Sequence, residues 1–130
     1  MSTDLRYPLA SGRVCTLRAR PLPGLPTHHV LFFASEQGAP LQHEEREMFG
    51  LAQVAASSLA REYCGDPGCY VILFSGSRTR RRPWPHFHIV AVRGVSAKRR
   101  ALLLLHVKRV LVWLQRIAAR FPFSRRVHHV

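Results

Sequence analysis

Three short apolar runs limit what this chain can fold into: His29-Val30-Leu31-Phe32-Phe33-Ala34, Tyr70-Val71-Ile72-Leu73-Phe74 and His86-Phe87-His88-Ile89-Val90-Ala91-Val92. Proline, glycine or arginine clusters bound them, so each is long enough for a strand and too short for a stable helix. A further stretch, Arg13 to Arg20, alternates apolar with polar residues over part of its length, which suits a strand with one wet face. It stops at Pro21-Leu22-Pro23-Gly24-Leu25-Pro26, and pairing with the 29–34 run across that connection is expected.

Between Gly38 and Cys64 the period changes. Met48, Leu51, Val54, Ala55 and Leu59 recur at helical spacing, and Glu44, Glu45 and Glu47 fill the opening turn, where the helix dipole favours acids. Gly65, Pro67 and Gly68 close this helix of roughly five turns. Ser96 is a candidate cap for a second helix, Ala97 to about Arg120. Its expected buried stripe is Leu103, Val107, Val110, Leu114, Ile117 and Phe121, with Lys98, Arg109, Arg116 and Arg120 opposite and Leu102, Leu105, Val112 and Trp113 off the stripe. The expected fold is therefore α+β: one antiparallel sheet of about four or five strands, a central amphipathic helix and a long C-terminal helix. Residues 1–95 form the core, and 96–130 add a basic helix and tail to the same globular unit.

A chain of 130 residues, 47% of them apolar, can bury one continuous core without metals or disulfides. Its 20 basic residues against 7 acids give a formal charge of +13, and 18 of the bases are arginine, whose planar fork matches phosphate oxygens. No acid follows Asp66, whereas residues 78–130 hold fourteen bases. Such a field attracts polyanions: nucleotides, nucleic acid or an anionic membrane surface. Three cysteines, an odd number, argue against a secreted disulfide framework; Cys64 and Cys69 flank a Gly-Asp-Pro-Gly turn as unpaired thiols or as a weak version of zinc spacing. Met1 to Leu9 lacks the apolar centre of a signal peptide, so a cytoplasmic location is expected. The second helix carries six bases between Arg99 and Arg120, too many for a membrane span, and its surplus apolar face suits a subunit interface, as in a homodimer, ahead of a membrane-surface face.

Residues two apart on a strand share a face, so His86 and His88 project side by side. With Arg78, Arg80, Arg81 and Arg82 next to them, they suit phosphate chemistry: an imidazole attacks phosphorus while guanidiniums neutralise the charge that builds on oxygen. His28 and His29 stand at the entrance of the second strand, where they cap the turn, pack or line the pocket.

The stretch from about Val14 to Val92 resembles the histidine-triad (HIT) superfamily, in particular its galactose-1-phosphate uridylyltransferase and dinucleotide-phosphorylase branch. The resemblance rests on Arg20-Pro21-Leu22-Pro23-Gly24-Leu25-Pro26-Thr27-His28-His29-Val30-Leu31, on Glu44-Glu45-Arg46-Glu47, on Phe74-Ser75-Gly76 and on Trp84-Pro85-His86-Phe87-His88-Ile89-Val90. Aligned on the His-Pro-His-x-Gln motif, it implies that His86 is the nucleophile and His88, in the glutamine position, donates to the phosphate oxygens. Ser75, Ser77, Arg78, Arg80, Arg81 and Arg82 would then bind phosphate, with His29 and Trp84 in the pocket and no cofactor. In the other register, His86 stands first, His88 is nucleophilic and Val90 is third. Three departures stand out: Trp84 replaces the first histidine, Phe74 or Ser75 the asparagine before the glycine, and an arginine loop the Gly/Ser phosphate cradle.

The implied activity is hydrolysis or transfer at a nucleoside phosphate bond, by an enzyme with a nucleotide or nucleotide conjugate as partner. One alternative is a module of the same fold that binds nucleotide or nucleic acid without catalysis. Another is the His-hydrophobic-His motif of rolling-circle replication initiators and relaxases, in which the two histidines hold a divalent metal beside a tyrosine. No tyrosine follows His88, and Tyr7, Tyr63 and Tyr70 are poorly placed for that role.

Overall fold

A computed structural model of the chain describes residues 4–33, 38–76 and 84–120. Within these, β1 (Leu5–Pro8), β2 (Val14–Ala19) and β3 (His29–Phe33) precede helix α1 (Gln42–Cys64), which is followed by β4 (Tyr70–Phe74), β5 (His86–Ala91) and helix α2 (Val95–Arg120). The strands form one five-stranded sheet in the order β1-β2-β3-β5-β4, antiparallel at every pairing. The α+β architecture and the pairing of β2 with β3 are as expected from the sequence. Strand β1 was not anticipated: Leu5-Arg6-Tyr7-Pro8 is too short and too polar to signal a strand, and it forms by pairing with the edge of β2.

Alternation along the strands gives the sheet two different faces. Cys15 and Leu17 of β2, Leu31 and Phe33 of β3 and Phe87 and Ile89 of β5 bury themselves against α1. The helix meets them with Met48 and with Ala52, Ala55 and Ala56, small side chains that bring its backbone close to the sheet. Val54, expected on the buried stripe, is 64% exposed. The buried line is set by the alanines, and Val54 falls outside that arc.

Glu44 locks α1 to the β1–β2 turn. Its carboxylate accepts the Leu41 backbone N–H at 2.9 Å, closing the first turn, and also the Ser11 hydroxyl at 2.8 Å and Arg13 Nε at 2.9 Å. Arg13 in turn donates to the Gly38 carbonyl at 2.8 Å and covers the Phe33 ring. The backbone N–H of Leu41 first, then Ser11 and Arg13, hold the buried Glu44 carboxyl below the usual glutamate range.

The opposite face is covered more thinly. Leu25, Val90 and Ala101 form a small second cluster, with Leu22, Val92 and Leu105 against it. Helix α2 starts at Val95, two residues before the expected Ala97, and approaches the sheet through Ala101 and Leu105. This reverses the expected orientation. Leu103 is 61% exposed, and Val107, Val110 and Leu114 are also exposed, whereas Leu105, placed off the stripe, faces the sheet. The small Ala101 side chain permits close approach, and Leu103 and the residues that share its stripe are left outside. No helix among the described residues is long and apolar enough to cross a membrane.

Replacing Glu44 with glutamine is expected to lower the thermal midpoint at pH 7. A lowered carboxyl pKa contributes stability above about pH 4.3 and loses it as the pH falls through the lowered value. The gap between wild type and variant should therefore close on acidification, as calorimetry across that range would show. Gly24 has a φ of +79°, and a Cβ added there would lie 2.9 Å from a Leu104 methyl. Gly24→Ala is expected to cost about 1 kcal/mol or more in chemical denaturation, since the backbone disfavours any L side chain there.

Candidate functional site

His86 and His88 leave the core strand on the face opposite Phe87 and Ile89, as alternation requires. They form the floor of an open cleft of about 310 Å³, with Leu73 and Ser75 from the β4 side and Leu102, Leu105, His106 and Arg109 from α2. Leu73 is the register partner of His88. That volume is near the lower end for small-molecule sites and suits a phosphate with part of its ester group.

His28, at the entrance to β3, organises the site. It is 1% exposed, and its Nδ1 lies 2.7 Å from the Arg20 carbonyl oxygen while its Nε2 lies 3.0 Å from Nδ1 of His88. The two rings lie edge to edge and nearly coplanar, with centroids 5.2 Å apart and planes 10° from parallel. A carbonyl only accepts, so His28 carries its proton on Nδ1; Nε2 of the neutral ring is then an acceptor, and His88 donates to it through Nδ1–H. Nε2 of His88 is left with a lone pair.

Burial, first, and then the neighbouring His28, His86, Arg109 and Lys108 push the His88 pKa down to about 4. Burial lowers His28 too, against the raising effect of its bond to Arg20. Both imidazoles are neutral near pH 7. His86 sits edge-on to His88 with ring centroids 5.1 Å apart, and its Nδ1 is 3.4 Å from the Trp84 carbonyl oxygen, a long contact.

Several expectations change. His88 cannot be the neutral donor to phosphate implied by the His-Pro-His-x-Gln alignment, because its one proton is committed to His28. His29 is not in the cleft: it shares the α1 face with its register partner Ile89, bonds the Thr27 carbonyl at 2.8 Å and lies near Tyr63. Trp84 does not line the cleft either. Ser75 does, whereas Ser77, Arg78, Arg80, Arg81 and Arg82 lie outside the described residues, as do Phe121, Phe123, His128 and His129.

His106 and Arg109 are the site residues that sequence reasoning missed, and of His28 and His29, which it weighed together as cap, packing or pocket residues, His28 is the one that reaches the site. Arg109 had been placed on the solvent side by the reversed helix orientation. Its signal was available in the spacing, since Arg109 follows Leu105, Ala101 and Ala97 at four-residue intervals. Among the described residues no group of three or more histidine, cysteine, aspartate or glutamate side chains is placed to hold a metal, and Cys15, Cys64 and Cys69 are free thiols. Comparison of the chain with protein-family models, with curated proteins and with solved structures finds no match.

Because His28 and His88 are neutral when folded, the unfolded chain binds more protons as the pH drops below the ordinary histidine value. Their contribution to stability is full above about pH 6.5 and is lost as the pH falls from there toward the His88 value. Nitrogen-15 NMR should show His88 neutral at pH 6, protonated on Nδ1, with its titration midpoint near 4. A midpoint near 6.5, or a proton on Nε2, would contradict the hydrogen-bonded order.

Proposed function

We propose that the cleft takes the phosphate of a nucleoside phosphoanhydride and transfers it through histidine, with His88 as the nucleophile. The observation that carries this reading is the chain from the Arg20 carbonyl through His28 to His88, which leaves one imidazole lone pair in a cleft beside a cation. It favours the register with His88 nucleophilic over the one with His86. The order of elements, with β2, a proline-rich turn, β3, an acid-opened helix, β4 and a His-x-His strand, supports a relationship to the histidine-triad superfamily.

The chemistry follows from the proton positions. Nε2 of His88 attacks phosphorus and forms an N–P bond, while the P–O bond to the leaving phosphate breaks and the oxygen departs with the electron pair. An anhydride suits this site because its leaving group stays an anion and needs no general acid. As positive charge develops on His88, its Nδ1 proton can shift to Nε2 of His28, whose Nδ1–H remains bonded to the Arg20 carbonyl. Arg109 offsets charge on the transferring oxygens. Water or a second acceptor then cleaves the N–P bond, releasing a proton and restoring the histidine.

Incubation with a nucleoside triphosphate labelled at the α-phosphate, followed by denaturation at alkaline pH, should trap an acid-labile phosphoramidate that mass spectrometry places on His88. His88→Ala should abolish the label, and Arg109→Ala should slow it by roughly a hundredfold, the scale of a lost transition-state cation. Label on His86 would assign the nucleophile to that residue, and no label on any histidine would defeat the reading.

A further inference from the structure

The face of the sheet that holds His86 and His88 continues well beyond the cleft. Helix α2 and the 22–25 turn cover its β5 side, and among the described residues no helix packs on the β1–β2–β3 side of the same face, where Arg6 is exposed and Thr16, Arg18 and Phe32 are half-buried. Backbone register lines up Arg6 of β1 with Thr16 of β2, Thr16 with Phe32 of β3, and Phe32 with His86 of β5. Three inter-strand steps of about 4.8 Å make this row about 14 Å long, ending at His86, next to His88 in the cleft.

The row has the composition of a polynucleotide platform. Phe32 is a half-buried aromatic ring on the sheet face opposite α1, while its neighbours Leu31 and Phe33 are buried on the other side. The Arg18 guanidinium lies over the Phe32 ring, 5.2 Å from its centroid, so ring and cation form one stack that a base extends. Arg18 is also paired with Asp4. Arg6 and Arg20 act on the same carboxylate, so this corner holds three cations against one acid. The charge therefore favours an anionic ligand at one end of the row, and Arg109 does so at the other.

We propose that single-stranded RNA lies across this row, with bases on Phe32 and Arg18, backbone phosphates near Arg6, and a terminal phosphate group delivered to the cleft. An open sheet presenting an aromatic ring and guanidiniums stacks unpaired bases, which a duplex keeps inside its own stack. Thr16, between Arg6 and Phe32, offers a hydroxyl to a ribose 2′-OH, the group that separates RNA from DNA. This inference rests on the cleft as a phosphoryl-transfer site and names its substrate class: the 5′-triphosphate end of an RNA strand, for which a free nucleoside triphosphate is the minimal surrogate.

The test pairs binding with labelling. Fluorescence anisotropy with a short labelled oligouridylate should show binding that weakens steeply with salt, with the DNA of the same sequence and the RNA duplex binding more weakly. Phe32→Ala should weaken RNA binding about tenfold, the scale of one lost base stack, and the surface change Arg6→Glu should do so without touching the core. Neither should reduce labelling of His88 by a free nucleoside triphosphate. Unchanged RNA affinity in Arg6→Glu, or equal affinity for duplex or DNA, overturns the proposal. His88 labelled with no RNA binding removes the track and leaves the cleft chemistry standing; RNA binding without label removes the chemistry and leaves the track.

Discussion

Strand β5 lies between β3 and β4, and its alternation ties the core to the site. Phe87 and Ile89 are sealed under α1, so His86, His88 and Val90 have no choice of face. A one-residue slip of this strand would place imidazoles in the core and aromatic rings in the cleft. Burial of Phe87 against Leu31, Met48 and the alanines of α1 thus positions the histidines as firmly as any bond made to them. The sheet is the rigid element on which a site can be held to a fraction of an ångström.

Position alone would leave two equivalent imidazoles. The hydrogen-bonded order from Arg20 makes them different, because a backbone carbonyl has no proton to give. That one-way property passes through His28 to His88 and assigns each nitrogen a role. A buried ring between two fixed partners also keeps the pair neutral, which holds the lone pair available across the physiological range. Thr27, next to His28, donates to the Ala91 carbonyl at 2.9 Å and so ties the entrance of β3 to the end of β5. The two strands that carry the relay are therefore joined on either side of it.

Helix α2 supplies the cation and remains the least embedded element. It touches the sheet through small residues and leaves Leu103, Val107, Val110 and Leu114 exposed. Arg109 and His106 consequently come to the cleft from an element held by few contacts, in contrast to the histidines of the sheet. Elements of this kind can shift on binding at low cost.

The sequence alone determined four of the five strands, both helices and the strand that carries the histidine pair. Apolar runs of strand length, a helical period between Gly38 and Cys64 and two histidines in one strand are local properties, legible because backbone geometry repeats every two or 3.6 residues. Tertiary structure decided what those periods leave open. The face of α2 was misjudged because hydrophobicity marks an apolar stripe without saying whether the sheet or another surface covers it. His28 was passed over in favour of His29 because adjacent residues at a strand entrance differ only in the side to which they turn. The protonation of His88 depended on a partner sixty residues away in the chain, because a proton's position is set by the atoms that face it.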